Sequence, residues 1–196
     1  MRDEVKMKKN SEIQKLFDES SAIIINSKKL ETPIANSISL LSKSLENKKK
    51  IIIFGNGGSA ADAQHMAGEL IGRYLLKRKS LSAIALTTDT SILTALGNDY
   101  GFENIFSRQC EGIVKNGDVV IAISTSGNSK NVIKGIITSK KLGAKIISLT
   151  GNSISKIKKY SDIIIPIPSN STPRIQEAHR TVIHIICEQV EKNLTK

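Results

Sequence analysis

The stretch Ile51-Ile52-Ile53-Phe54-Gly55-Asn56-Gly57-Gly58-Ser59-Ala60 decides the fold: an unbroken apolar run, a glycine-rich turn, and a serine that opens a helical pattern. An apolar run without alternation is what a strand covered on both faces requires. Glycines let the backbone adopt positive φ and approach a ligand closely, and the free amides of the following helix start point at an anion. The turn therefore fits a phosphate or sugar loop. It also matches the loose dinucleotide fingerprint G-x-G-x-x-[GA], so alone it leaves a sugar phosphate, NAD and an unliganded turn all open.

Working outward, four more β-rich runs follow: Leu81 to Leu86, Val119 to Ile123, Lys145 to Leu149 and Ile163 to Ile167. Helical patterns lie between them near Ser59 to Leu76, Ser91 to Leu96, Asn104 to Val114 and Ser129 to Leu142, with a shorter turn near Ile154 to Lys158. Strand and helix in alternation predict an α/β fold with a five-stranded parallel sheet, flanked by helices and joined by right-handed crossovers. Two further helical patterns, Ser11 to Asn26 and Thr32 to Leu45, precede the first strand, and Thr172 to Asn193 reads as one long helix. Its segment Val182 to Cys187 is apolar almost all round, which predicts burial and a subunit interface as well. At 196 residues with 39% hydrophobic content the chain suits one core. We expect a single domain over 1–196, with residues 1–48 a helical oligomerisation region and 49–196 the α/β core with its long C-terminal helix.

Composition narrows the partners. The 29 Lys+Arg against 18 Asp+Glu give +11, but the clusters Lys48-Lys49-Lys50, Lys77-Arg78-Lys79, Lys140-Lys141 and Lys156-Lys158-Lys159 are scattered near helix ends and connections. Aromatic content is 4% with no tryptophan, so stacking platforms for single strands are scarce and no nucleic-acid partner is expected. No run approaches the roughly 20 apolar residues of a membrane span, and Met1 to Asn10 lacks a secretory h-region, so no membrane and a cytoplasmic location are expected. Cys110 and Cys187 lie far apart inside helical patterns, which predicts two buried, reduced thiols.

A second loop, Ser124-Thr125-Ser126-Gly127-Asn128-Ser129, links the third strand to a helix. Its hydroxyls and exposed amides can wrap a terminal phosphate, and one helix cap needs only one hydroxyl, so a plain cap leaves the rest unexplained. The absence of GxxxxGK[ST] favours a monophosphate over ATP. Both loops fall at carboxyl ends of parallel strands, where such sheets form their crevice. On the helix after the first loop, His65 and Glu69 share a face and could ligate a metal, or form an ordinary hydrogen-bonded pair. On the last helix Gln176 and His184 lie about 80° apart, whereas His179 is about 140° from His184 and suits a structural role better. Two imidazoles, a carboxylate and an amide oxygen suit zinc or another borderline divalent ion. Asn98 and Asp99, in the expected Gly97-Asn98-Asp99-Tyr100-Gly101 turn, could bond sugar hydroxyls or simply form the turn.

The runs Gly55-Asn56-Gly57-Gly58-Ser59, Asp62-Ala63-Gln64-His65, Glu69-Leu70-Ile71-Gly72-Arg73-Tyr74, Gly97-Asn98-Asp99, Ser124 to Ser129 and Arg174-Ile175-Gln176-Glu177-Ala178-His179, with His184 beyond, resemble the sedoheptulose 7-phosphate isomerase (phosphoheptose isomerase) family of the SIS fold. The resemblance spans nearly the whole chain. It implies a three-layer, flavodoxin-like SIS fold and a homotetramer that interconverts sedoheptulose 7-phosphate and D-glycero-D-manno-heptose 7-phosphate, the first step towards nucleotide-activated heptose for surface glycans. It further implies one zinc per subunit on His65, Glu69, Gln176 and His184. Substrate contacts would come from Asn56, Gly57, Gly58, Asn98, Asp99, Ser124, Thr125, Ser126 and Ser129, together with Glu69 and Gln176. Glu69 would move the proton between C1 and C2 through an enediolate, and His184 the proton between the two oxygens. The competing expectation is a non-catalytic SIS protein that binds the bacterial replication initiator or senses a sugar phosphate; such a protein would not need Glu69 and His184 together.

Overall fold

The computed structural model describes residues 2–152 and 156–195. Helices α1 (Arg2–Asn26) and α2 (Glu31–Glu46) precede the α/β unit. That unit runs β1 (Ile51–Gly55), α3 (Gly58–Ile71), β2 (Ala83–Ala85), α4 (Thr90–Tyr100), α5 (Ile105–Ile113), β3 (Val119–Ser124), α6 (Lys130–Lys141), β4 (Lys145–Thr150), β5 (Ile163–Pro166) and α7 (Thr172–Leu194). The five strands form one parallel sheet in the order β2-β1-β3-β4-β5. β3 is central and β1 lies between it and the edge strand β2, with Ile53 opposite both Ala85 and Ile121.

Every residue of β1 and β3 is buried, and successive residues feed opposite faces. Ile51, Ile53, Ile121 and Leu149 pack with α2, α3 and α7, whereas Ile52, Phe54, Val120 and Ile146 pack with α5 and α6. This is a helix–sheet–helix sandwich with a core on each side of the sheet, and each fully buried isoleucine contributes roughly 1.5–3 kcal/mol relative to exposure. On the second side Phe54 stacks on Phe106 at 4.9 Å. Gly135 lets α6 close on that pair, because a Cβ there would sit 2.9 Å from the Phe54 ring. Cys110 and Cys187 are free and buried, as expected.

Three boundaries differ from the sequence reading. The helix expected to run to Leu76 stops at Ile71, and the chain continues as an irregular segment that crosses to α7. The apolar pair Leu75 and Leu76, which extended the helical pattern, is exposed. The strand expected over Leu81 to Leu86 keeps only Ala83–Ala85, at the sheet edge. The Gly97 to Gly101 turn is instead the last turn of α4, which ends at Gly101 with φ +82°. Of the short turn near Ile154 to Lys158, Ile154 and Ser155 lie outside the described residues, and a 3-10 turn occupies Lys156–Tyr160.

Candidate active site

The first loop is shaped by contacts that exclude side chains. A Cβ on Gly55 would meet the Ile123 carbonyl oxygen at 2.6 Å, so β1 and β3 can end side by side only with glycine there. Gly57 holds φ +57°, a left-handed conformation open to glycine at little cost. Asn56 is clamped by a reciprocal amide pair: its Nδ2 donates to Asn131 Oδ1 at 2.8 Å, and Asn131 Nδ2 donates back at 2.9 Å. Asn131 is buried in the first turn of α6, so the pair ties the glycine loop to the hydroxyl loop.

The hydroxyl loop folds on itself. Gly127, at φ +61°, donates its N–H to Ser124 Oγ at 3.1 Å, and Ser124 Oγ lies 3.3 Å from Ser129 Oγ. Ser129 occupies the N-cap position of α6 yet forms no side-chain cap bond, so its hydroxyl stays available to a ligand. Asn56, Gly57 and Gly58 from one loop and Ser124, Thr125 and Ser129 from the other line a cleft of about 250 Å³. α7 closes it with Thr172 and Gln176. The sequence reading named all of these except Thr172. Ser126 lines an adjoining cleft with Thr125 and Thr172.

The second half of the site lies farther along the same two helices. Gln176 Nε2 sits where a Cβ on Gly58 would be 2.4 Å away, while His65 Nε2 lies 2.8 Å from His184 Nε2. Matching contacts in the same order mean that α3 and α7 run side by side in one direction. At 1.5 Å per residue, the histidines stand about 10 to 12 Å beyond the Gly58–Gln176 contact. Glu69 joins them with Oε1 at 3.4 Å from His65 Nε2, and one donor atom from each of His65, Glu69 and His184 falls within 4.8 Å of the others. Two ring nitrogens and a carboxylate oxygen converging at partial exposure fit a divalent ion of zinc type, so the residues present suit the metal. Gln176 lies at the cleft end of this arrangement, against Gly58.

Between the two halves, Arg180 Nε donates to Asp62 Oδ1 at 2.9 Å, and its Nη2 reaches the same oxygen at 2.7 Å. Burial raises the Asp62 carboxyl pKa even though the Arg180 charge and hydrogen bond oppose it. Burial and the Arg180 charge together lower the His65 pKa, against the pull of Glu69, which favours the neutral imidazole a metal needs. His179 takes the structural role expected of it: it is fully buried, with Nε2 3.2 Å from the Thr150 carbonyl oxygen, and burial lowers its pKa to about 4.

Asn98 and Asp99 are not brought into this constellation within one chain. They are exposed on the last turn of α4, Asn98 Nδ2 bonded to Asp99 Oδ1, and do not line the cleft. Besides Thr172, the sequence reading passed over Asn131 and Tyr74, whose ring centroid lies 5.7 Å from that of His184. An asparagine in a helix's first turn and a tyrosine in an irregular segment carry no signal until their partners are placed.

Residues 15–151 match the family described as SIS domain, and the chain belongs to that family. It is 54% identical over 165 residues to the phosphoheptose isomerase of Geotalea daltonii, covering 84% of this chain and 86% of that one. The phosphoheptose isomerase of Helicobacter pylori strain P12 is 54% identical over 164 residues, 84% and 85% of the two chains. The structure of the Neisseria gonorrhoeae phosphoheptose isomerase superposes with a TM-score of 0.88 at 41% identity, over 93% of this chain and 98% of the other. That from Francisella tularensis gives 0.91 at 32% identity, over 94% and 98%. Within the SIS domain family, the chain is thus one of the phosphoheptose isomerases.

Proposed function

We propose that this enzyme interconverts sedoheptulose 7-phosphate and D-glycero-D-manno-heptose 7-phosphate. The carrying observation is the two-part site along α3 and α7: an anion cradle at one end and proton-moving groups about 10 Å farther on. An extended seven-carbon chain spans eight bonds from C1 to phosphorus, about 10 Å at roughly 1.2 Å of advance per bond. Phosphate in the cradle would therefore deliver C1 and C2 to Glu69 and His184, and its binding energy would orient the reacting carbons.

In this reading Glu69 takes a proton from C1 of the ketose and returns it to C2, while His184 carries the O1 proton to O2. The electrons of the C1–H bond become the enediolate double bond and then the new C2–H bond, so the reaction is an internal redox exchange that needs no outside oxidant. His65, Glu69 and His184 would hold one zinc per subunit, whereas Gln176, expected as a fourth ligand, stands at the cleft end against Gly58. When bound, zinc supplies Lewis-acid polarisation of the substrate oxygens and electrostatic stabilisation of the developing negative charge. Glu69 has two carboxylate oxygens, so metal contact by one leaves the other for the carbon proton. Asn98 and Asp99, exposed on α4, would serve sugar hydroxyls from the neighbouring subunit of a homotetramer.

Assembly is supported by an apolar surface. Ile13, Leu16, Phe17 and Ile25 of α1 and Ile185 of α7 are exposed, and an apolar groove of about 530 Å³ separates α1, α2 and α7. Residues 1–48 would thus act as the oligomerisation region of a single SIS domain. Unpaired, buried cysteines agree with a reducing cytoplasm, and among the described residues no helix is long and apolar enough to cross a membrane. A non-catalytic SIS role would leave the His65–Glu69–His184 convergence without a purpose.

The deciding experiment is isomerisation of sedoheptulose 7-phosphate in deuterium oxide, with and without chelation and zinc restoration. Aldose product carrying some deuterium at C2, and activity that falls and returns with the metal, is expected. No turnover of this ketose, with turnover of a shorter ketose phosphate, would overturn the substrate assignment.

A further inference from the structure

We propose that Glu191, acting through Arg78 and Tyr74, is a positioning residue that holds Glu69 and His184 at their working separation. Glu191 follows His184 by seven residues, two helical turns, so both lie on nearly one line of α7. Its side chain is 1% exposed, which removes it from any contact with substrate. Its carboxylate accepts four hydrogen bonds: from the backbone N–H groups of Tyr74 at 2.9 Å, Leu75 at 2.6 Å and Leu76 at 2.7 Å, and from Arg78 Nε at 2.9 Å. Burial alone would push this carboxyl up, but the three N–H donors and the Arg78 charge more than offset it and hold it below the usual carboxylate range.

Arg78 carries the connection to α3. Its Nη2 donates to the carbonyl oxygen of Glu69 at 2.8 Å, and its Nη1 to that of Leu70 at 2.8 Å. These are carbonyls that a helix end leaves without intrahelical partners. One carboxylate–guanidinium pair therefore ties the end of α3, which bears His65 and Glu69, to α7, which bears His184. The same carboxylate fixes the backbone of Tyr74, whose ring packs on the His184 imidazole at 5.7 Å between centroids and a 42° tilt. A buried ion pair adds little net stability over an apolar filling of equal volume, and a helix end can be capped by glycine and water. What this arrangement adds is geometry: three successive N–H groups on one carboxylate set the path of the segment, and that path sets where the Tyr74 ring meets His184.

This inference rests on the isomerase reading above, and its test separates the two. Glu191→Gln and Tyr74→Ala are compared with wild type for kcat, KM, thermal unfolding and zinc affinity, the last by calorimetric titration of metal-free protein. Loss of an outer partner of a metal ligand commonly costs about 10- to 100-fold, so both variants should lose that much in kcat or zinc affinity with KM nearly unchanged. Tyr74→Phe, which keeps the ring, should restore the Tyr74→Ala loss. Folded Glu191→Gln and Tyr74→Ala proteins with wild-type kcat and zinc affinity would overturn the proposal. If Glu191→Gln does not fold, Tyr74→Ala decides alone, because it leaves the buried pair in place. A wild type that binds zinc but isomerises no heptose phosphate refutes the isomerase reading, and the zinc titrations still test the latch.

Discussion

The two ends of the α3–α7 ridge are built in opposite ways. At the cradle, donors come from consecutive residues of two short loops, Asn56 to Gly58 and Ser124 to Ser129, so neighbours in sequence are neighbours in space. At the far end, His65 and His184 meet across a separation of 119 residues, and the proposed proton transfers rest on single side chains. A site with several overlapping donors loses affinity gradually when one is removed. A site in which each atom moves a particular proton fails when one is lost.

The largest test of this contrast is at the far end. Glu69→Gln and His184→Ala should each lower kcat by about 10²–10⁴, the usual contribution of a positioned acid or base. Affinity for a non-reacting sugar phosphate, measured by calorimetry, should stay close to that of wild type in the Glu69 variant. Near-normal turnover by either variant would break the division of labour. At the cradle, Ser124→Ala or Ser129→Ala should raise KM by about 10- to 100-fold with kcat held, since a hydrogen bond to a charged oxygen is worth roughly 1.5–3 kcal/mol. A loss confined to kcat would mean that the cradle also shapes the transition state.

The smallest effect concerns His179, which packs behind the site and touches neither end. Burial lowers its pKa from the ordinary 6.5 to about 4, so between these values the unfolded chain binds a proton that the folded protein refuses. Its stabilising contribution is complete above about pH 6.5 and is lost as pH falls towards 4. Thermal unfolding followed from pH 7 to pH 5 should show the midpoint falling by roughly 2–4 °C per kcal/mol lost. His65 shifts in the same direction, so the part belonging to His179 is the slope that disappears in His179→Gln. An unchanged slope in that variant would assign the acid sensitivity to the ligand end instead.

Much of this architecture was legible in the chain. Unalternated runs such as Ile51 to Phe54 fit a doubly covered parallel sheet, and glycines after a strand mark a turn with positive φ or a close approach. The separation of His179 from His184 around the helix set the buried imidazole apart from the one that meets His65, because helical geometry is fixed at every step. The SIS resemblance rested on motifs of this local kind.

Other features were set by distant contacts. Leu75 and Leu76 prolong an apolar helical pattern, yet α3 ends at Ile71, where the chain turns towards α7 and Arg78 binds its terminal carbonyls. Asn98 and Asp99 read as a turn and form the end of a helix. The Asn56–Asn131 amide pair and the four bonds to Glu191 join residues that no spacing rule connects. Periodicity and turn chemistry act between neighbours along the chain, so the residues record them directly. The separation of Glu69 from His184 depends on how two helices pack, and packing is a property of the assembled whole.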